Sequence, residues 1–194
     1  KVDLQKTPID FVVASAHKFH GPKGVGLAYF KKGFGIKPIL TGGSQERGAR
    51  AGTENVHGIL GMEKALEIGC ENLDEDAEYI GGLKVYFIAQ LELHLPEVKV
   101  NGAPMDKIST NYSILNVRLP VDSKMLLFTL DLKGIAVSGG SACQSGSLGG
   151  SHVLNEILSA KDSLKTSIRF SFSKFNTHEE IDFVIHILKE ILNK

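Results

Sequence analysis

Two short apolar runs near the start of the chain set the terms of its fold. The first, Phe11-Val-Val-Ala14, lies in a stretch from Asp10 to Ala16 that reads as a buried strand: short, partly β-branched and closed by a turn signal. Gly24 to Phe30 reads as a second strand, and no third follows before helical periodicity begins at Val56. Two strands make a poor sheet on their own. This part therefore reads as the tail of an α/β unit whose other strands lie outside the chain.

The helical pattern runs from Val56 through Ile68 and again from about Asn72 to His94, where Leu73, Ala77, Ile80, Leu83, Phe87 and Leu91 form one stripe and Pro96 closes it. The style then changes. Glu97 to Val100 and Ser109 to Val117 read as strands, followed by a helix with Ser123 as N-cap and Gly134 as its stop. Ile135 to Ser138 reads as a short strand and residues 151–160 as a short helix. Thr166 to Phe172 alternates strictly, with Ile168, Phe170 and Phe172 on one face. Thr177-His-Glu-Glu180 is a capping box opening the last helix. These patterns divide the chain into residues 1–75 and a compact α+β domain over residues 76–194.

The 194 residues hold 22 Lys plus Arg against 22 Asp plus Glu, so no basic excess speaks for a nucleic-acid or anionic-membrane surface. No apolar run is long enough to cross a bilayer. The chain opens on a mixed segment without an initiator methionine or a signal peptide, as expected either of natural processing or of a piece that begins inside a larger protein. Cys70 and Cys143 lie in different contexts, which argues against a disulfide framework and for a reducing, cytoplasmic setting.

Four places could carry chemistry. Lys18 stands where the first apolar run stops, inside Ser15-Ala-His-Lys-Phe-His-Gly-Pro-Lys-Gly24. A lysine forms a Schiff base only as the free amine, and the end of a buried strand can desolvate it. Ser15 and His17, spaced i, i+2 on one strand face, could hold a phosphate beside that amine. The loop from Thr41 to Asn55 is glycine-rich with two arginines, and Thr53 sits near a helix N-terminus, where anions bind. Cys143 lies in a glycine- and serine-rich segment, Ser138 to Ser151, that gives a thiol room to move. Arg169 lies on the polar face of the alternating strand, where a planar guanidinium can grip a carboxylate. Cys70 reads as structural, and the histidines show no metal-ligand spacing, so no metal site is expected.

Together these segments resemble the cysteine desulfurases of the NifS/IscS type, in the class V branch of fold-type I pyridoxal-phosphate enzymes. The resemblance rests on Ser15-x-His17-Lys18-x-x-Gly21-Pro22-Lys23-Gly24, on the segment from Gly42 to Thr53, on Ser141-Ala-Cys143-x-Ser145 and on Ser167-Ile-Arg169-Phe-Ser171, in the family's order. It implies a partial large domain (1–75) and an α+β small domain carrying the cysteine loop (76–194). It also implies that Lys18 forms the covalent link to pyridoxal 5'-phosphate, that Ser15 and His17 contact the phosphate, and that Thr53 reaches the phosphate of the partner subunit in a homodimer. Arg169 would bind the substrate carboxylate. Cys143 would take sulfur from L-cysteine as a persulfide and pass it to an acceptor such as an iron–sulfur scaffold protein. Position 139 is Gly where many relatives have Ser, which is expected to add mobility. The family's ring-binding His, Asp and Gln have no counterpart here, so these residues alone are expected to be inactive. Selenocysteine lyases, aminotransferases and a non-catalytic dimerisation or docking domain are the alternatives.

Overall fold

A computed structural model of the chain describes residues 2–103, 110–123, 125–139 and 151–192. They divide into two compact units, residues 1–73 and 74–194.

In the first unit, β1 (Phe11–Ser15) pairs antiparallel with β2 (Gly26–Phe30) in a two-stranded sheet. The glycine-rich loop follows, and then α1 (Val56–Glu71), whose N-terminus is capped by Asn55 Oδ1 accepting from the Gly58 N–H at 3.1 Å. Almost nothing here is buried. Ala16 is the one apolar side chain out of solvent among the unit's described residues, while Val13 is 65% exposed, Leu60 57% and Ile39 94%. β1 was expected to be buried. It forms where the sequence places it, but Phe11 and Val13 on one face are open because no layer among the described residues covers them.

The second unit holds the hydrophobic core. β4 (Ile114–Arg118) is central, flanked by β3 (Lys99–Val100) and β5 (Ser167–Ser171), all antiparallel. Strand alternation sends Leu115, Val117, Ile168 and Phe170 to one face. There they join Leu83, Phe87 and Leu91 of α2 (Leu73–His94) and Ile181, Ile185 and Leu188 of α6 (His178–Leu192). Phe87 meets Phe170 edge-on at 4.8 Å between ring centroids. Each such fully buried side chain contributes roughly 1.5–3 kcal/mol.

Helix ends follow the sequence closely in two places. The Thr177 Oγ1 accepts from the Glu180 N–H at 3.3 Å and Glu180 Oε2 from the Thr177 N–H at 3.2 Å, a complete capping box. α3 (Leu126–Leu132) ends at Gly134, φ 81°, with Ile135 N–H donating to Leu130 O and Gly134 N–H to Asp131 O, a Schellman motif. Ser123 departs from expectation. Its side chain caps nothing among the described residues; its backbone N–H donates to Thr166 Oγ1 at 2.8 Å, and the helix begins three residues later. Residues 151–160 hold α4 (His152–Ile157) and the start of a separate short helix, α5 (Ala160–Ser163). The segment Ile135 to Ser138 forms one bridge, Ser138 to Arg169, and not a full strand.

Candidate active site

The lysine turn is built by close packing of small residues. β1 ends at Ser15, and residues Ala16–Phe19 form a 3-10 turn with Ala16 fully buried at its root. Ala16 O accepts from the Gly21 N–H at 2.8 Å, and the Ala16 N–H donates to Val25 O at 3.0 Å. A Cβ on Gly21 would lie 2.8 Å from that of Ala16, so only glycine lets the chain double back here. Behind the turn, α1 presents Gly58 and Gly61. A Cβ on Gly61 would lie 2.6 Å from Pro22 Cγ, and one on Gly58 3.1 Å from Val25 Cβ. Glycine inside a helix costs about 1 kcal/mol relative to alanine. The i, i+3 pair of glycines, outside the four motifs, is the signal in the sequence that α1 seats this turn.

Lys18 stands on this turn and is exposed, as are Ser15 and His17. Two expectations change. Among the described residues no layer packs on β1, so Lys18 at its end is exposed to solvent. Ser15 and His17 do not alternate along one strand face either, because the backbone leaves extended geometry at Ala16 and His17 belongs to the 3-10 turn. The three residues still share one turn, with the hydroxyl three positions and the imidazole one position before the amine.

The loop preceding α1 is bent by residues that seldom bend this way. Glu46 and Arg47 both have left-handed backbones, φ 49° and 55°. The bend is tied by Gly48 N–H donating to Ser44 O at 3.2 Å and Gly52 N–H to Gln45 Oε1 at 3.1 Å. Gly52, at φ 116°, delivers the chain to Thr53, which is exposed.

In the second unit, Arg169 projects from the polar face of β5, opposite the core residues Ile168 and Phe170. Its Nε is buried and lacks a hydrogen-bond partner among the described residues. A buried donor without an acceptor is uncommon. Its backbone is paired, with the Arg169 N–H donating to Ser138 O at 2.7 Å. Ser138 is the root of the cysteine-bearing segment, and Cys143 itself lies outside the described residues. At the far end of that segment Ser151 Oγ caps α4, accepting from the Leu154 N–H at 3.3 Å. Cys70, read as structural, is an exposed free thiol on α1. No group of His, Cys, Asp and Glu able to hold a metal ion occurs among the described residues.

Residues 1–184 match the aminotransferase class-V family. The chain belongs to the class-V aminotransferase family. All of it aligns, at 40% identity, with the cysteine desulfurase IscS of Dictyoglomus turgidum, covering 48% of that protein. A solved NifS-like protein superposes with a TM-score of 0.82 at 35% identity, over 98% of this chain and 48% of the other. The NifS-like protein of Rickettsia africae gives 0.83 at 28% identity, over 100% and 50%. The chain spans about half the length of the curated relatives it matches. Its mixed helices and sheets are those of a partial fold-type I domain, as in these class-V relatives.

Class-V enzymes work with pyridoxal phosphate, and the residues present suit that group. An accessible amine can bond its aldehyde, while Ser15 and His17 on the same turn offer polar partners for its phosphate.

Proposed function

We propose that the full-length protein is a cysteine desulfurase that takes sulfur from L-cysteine, releases L-alanine and holds the sulfur as a persulfide on Cys143. Lys18, Ser15 and His17 hold pyridoxal phosphate, and Thr53 serves the phosphate of the second subunit in a homodimer. When bound, the cofactor supplies an electron sink for charge developing at the substrate Cα.

The protein's own groups do the rest. Arg169 orients the substrate through its carboxylate. The Lys18 amine would move the proton at the substrate Cα. The Cys143 thiolate attacks the substrate sulfur: an S–S bond forms, the substrate C–S bond breaks, and its electron pair stays with the three-carbon fragment, which takes up a proton at the former sulfur-bearing carbon and leaves as alanine. The persulfide then passes to an acceptor, an iron–sulfur scaffold protein in this reading. A thiol that must recycle through this state suits a reducing compartment, the cytoplasm. Among the described residues no helix is long and apolar enough to cross a membrane.

The observation that carries the reading is the unmatched Arg169 Nε on the strand whose backbone holds the root of the cysteine segment. A direct test uses full-length Lys18→Ala and Arg169→Gln. Lys18→Ala is expected to lose the visible absorbance of bound cofactor. Arg169→Gln is expected to keep that absorbance and to raise KM for L-cysteine. An Arg169→Gln protein with an unchanged KM would contradict the assignment.

A further inference from the structure

Arg169 shares its face of the sheet with an asparagine whose orientation the structure dictates. Phe172 N–H donates to Ser113 O and Leu119 N–H to Thr166 O across β4 and β5. Alternation along that ladder makes Asn116 and Arg169 a non-hydrogen-bonded pair. In such pairs the two side chains stand closest, with Cβ atoms about 4.5–5.5 Å apart.

On the other side of Asn116 lies Asn101, just past β3. Arg118 sets the orientation of Asn101, because a guanidinium can only donate. Its Nη1 donates to Asn101 Oδ1 at 3.2 Å, and its Nε lies 3.8 Å from the Asp162 carboxylate. Asn101 must then turn its amide NH2 the other way. That group donates to Asn116 Oδ1 at 2.7 Å and to Ser167 Oγ at 3.2 Å. With its oxygen engaged, Asn116 is left with an NH2 group that meets no acceptor among the described residues. Arg169 Nε is in the same condition and is buried. Arg118 has its partners on this face; Arg169 and Asn116 have donors to spare, side by side.

We propose that Asn116 Nδ2 is a second donor to the carboxylate that Arg169 grips, and that Asn101 and Arg118 are positioning residues that hold the Asn116 amide in the donating orientation. The inference rests on the reading of Arg169 as the carboxylate arginine. One charged hydrogen bond is worth roughly a tenfold difference in affinity.

The test is calorimetric binding to the full-length protein loaded with pyridoxal phosphate. L-alanine is compared with ethylamine, the same molecule without its carboxylate. Asn116→Ala and the strand-favouring Asn116→Val are expected to weaken L-alanine about tenfold and to leave ethylamine unchanged. If Asn116→Ala fails to fold, Asn116→Val gives the reading. Asn101→Asp keeps an acceptor for Arg118 but removes the donor to Asn116, and is expected to give a smaller loss, for L-alanine only. Unchanged L-alanine affinity in both Asn116 variants, with a loss in Arg169→Gln, would overturn this inference and leave the arginine assignment standing. Equal losses for the two ligands would overturn it in favour of a purely structural asparagine. No loss in Arg169→Gln would overturn the carboxylate reading itself.

Discussion

Ser138 and Arg169 exchange two backbone hydrogen bonds, Arg169 N–H to Ser138 O at 2.7 Å and Ser138 N–H to Arg169 O at 3.3 Å. The chain entering the cysteine-bearing segment is thereby tied to the strand that carries the carboxylate-binding candidate. Ser138→Pro deletes one of the two donors. It is expected to lower stability by about 1 kcal/mol and to slow persulfide formation in the full-length protein while leaving cofactor absorbance intact. Denaturant unfolding and a persulfide-labelling time course check the two effects.

Gly61→Ala sets two magnitudes against each other. Helix propensity favours alanine by about 1 kcal/mol. The new Cβ would lie 2.6 Å from Pro22 Cγ, and the ring of Pro22 has little freedom to yield. Overpacking of this kind costs about 1–3 kcal/mol. The variant is therefore expected to be no more stable than the parent and to load less cofactor, because the displaced segment leads straight back to Lys18. Absorbance titration with pyridoxal phosphate on the full-length protein reads this out; improved stability with full loading would contradict it.

The units differ in what they bury. The core cluster from Leu83 to Leu188 lies wholly within residues 74–194, whereas the described residues of the first unit bury Ala16 and Gly58 and expose most of their large apolar side chains. Residues 74–194 alone are expected to unfold cooperatively, and residues 1–73 alone to show no cooperative transition. The 194 residues together are expected to give no desulfurase turnover. Urea unfolding followed by circular dichroism, and an alanine-release assay, check these outcomes.

Lys84 is buried on α2, 4% exposed, with its Nζ donating to Asn111 O at 2.9 Å. Burial pushes its amine below the ordinary lysine value of 10.5. The unfolded chain then holds more protons than the folded one between that lowered value and 10.5, so this residue makes stability rise with pH across the window. Lys84→Met removes that dependence. The parent is expected to gain on the variant as pH rises from 7 toward 10, as measured by unfolding at several pH values; a constant difference would show that the amine does not titrate differently on folding.

Local signals were legible in the sequence where the physics is local. The Thr177 capping box, the Gly134 stop and the Ile80-Leu83-Phe87-Leu91 stripe all stand where periodicity and capping rules put them. Lys84 was invisible to the same reading because its burial depends on a carbonyl 27 positions away. The turn at Ala16 escaped it too, since an apolar run ending in Ala-His-Lys does not announce a 3-10 bend. Lys18 was expected to be desolvated, but desolvation comes from layers packed on a strand, and the described residues supply none. The cooperation of Asn101, Asn116 and Arg118 needed the strand register, which no single segment encodes.

Mass spectrometry of the full-length, cofactor-loaded protein after exposure to L-cysteine decides whether Cys143 carries the sulfur. One added sulfur atom is predicted on the peptide containing Cys143, with none in Cys143→Ser, and alanine release lost in that variant. Sustained alanine release by Cys143→Ser, or sulfur found on Cys70 in place of Cys143, would contradict it.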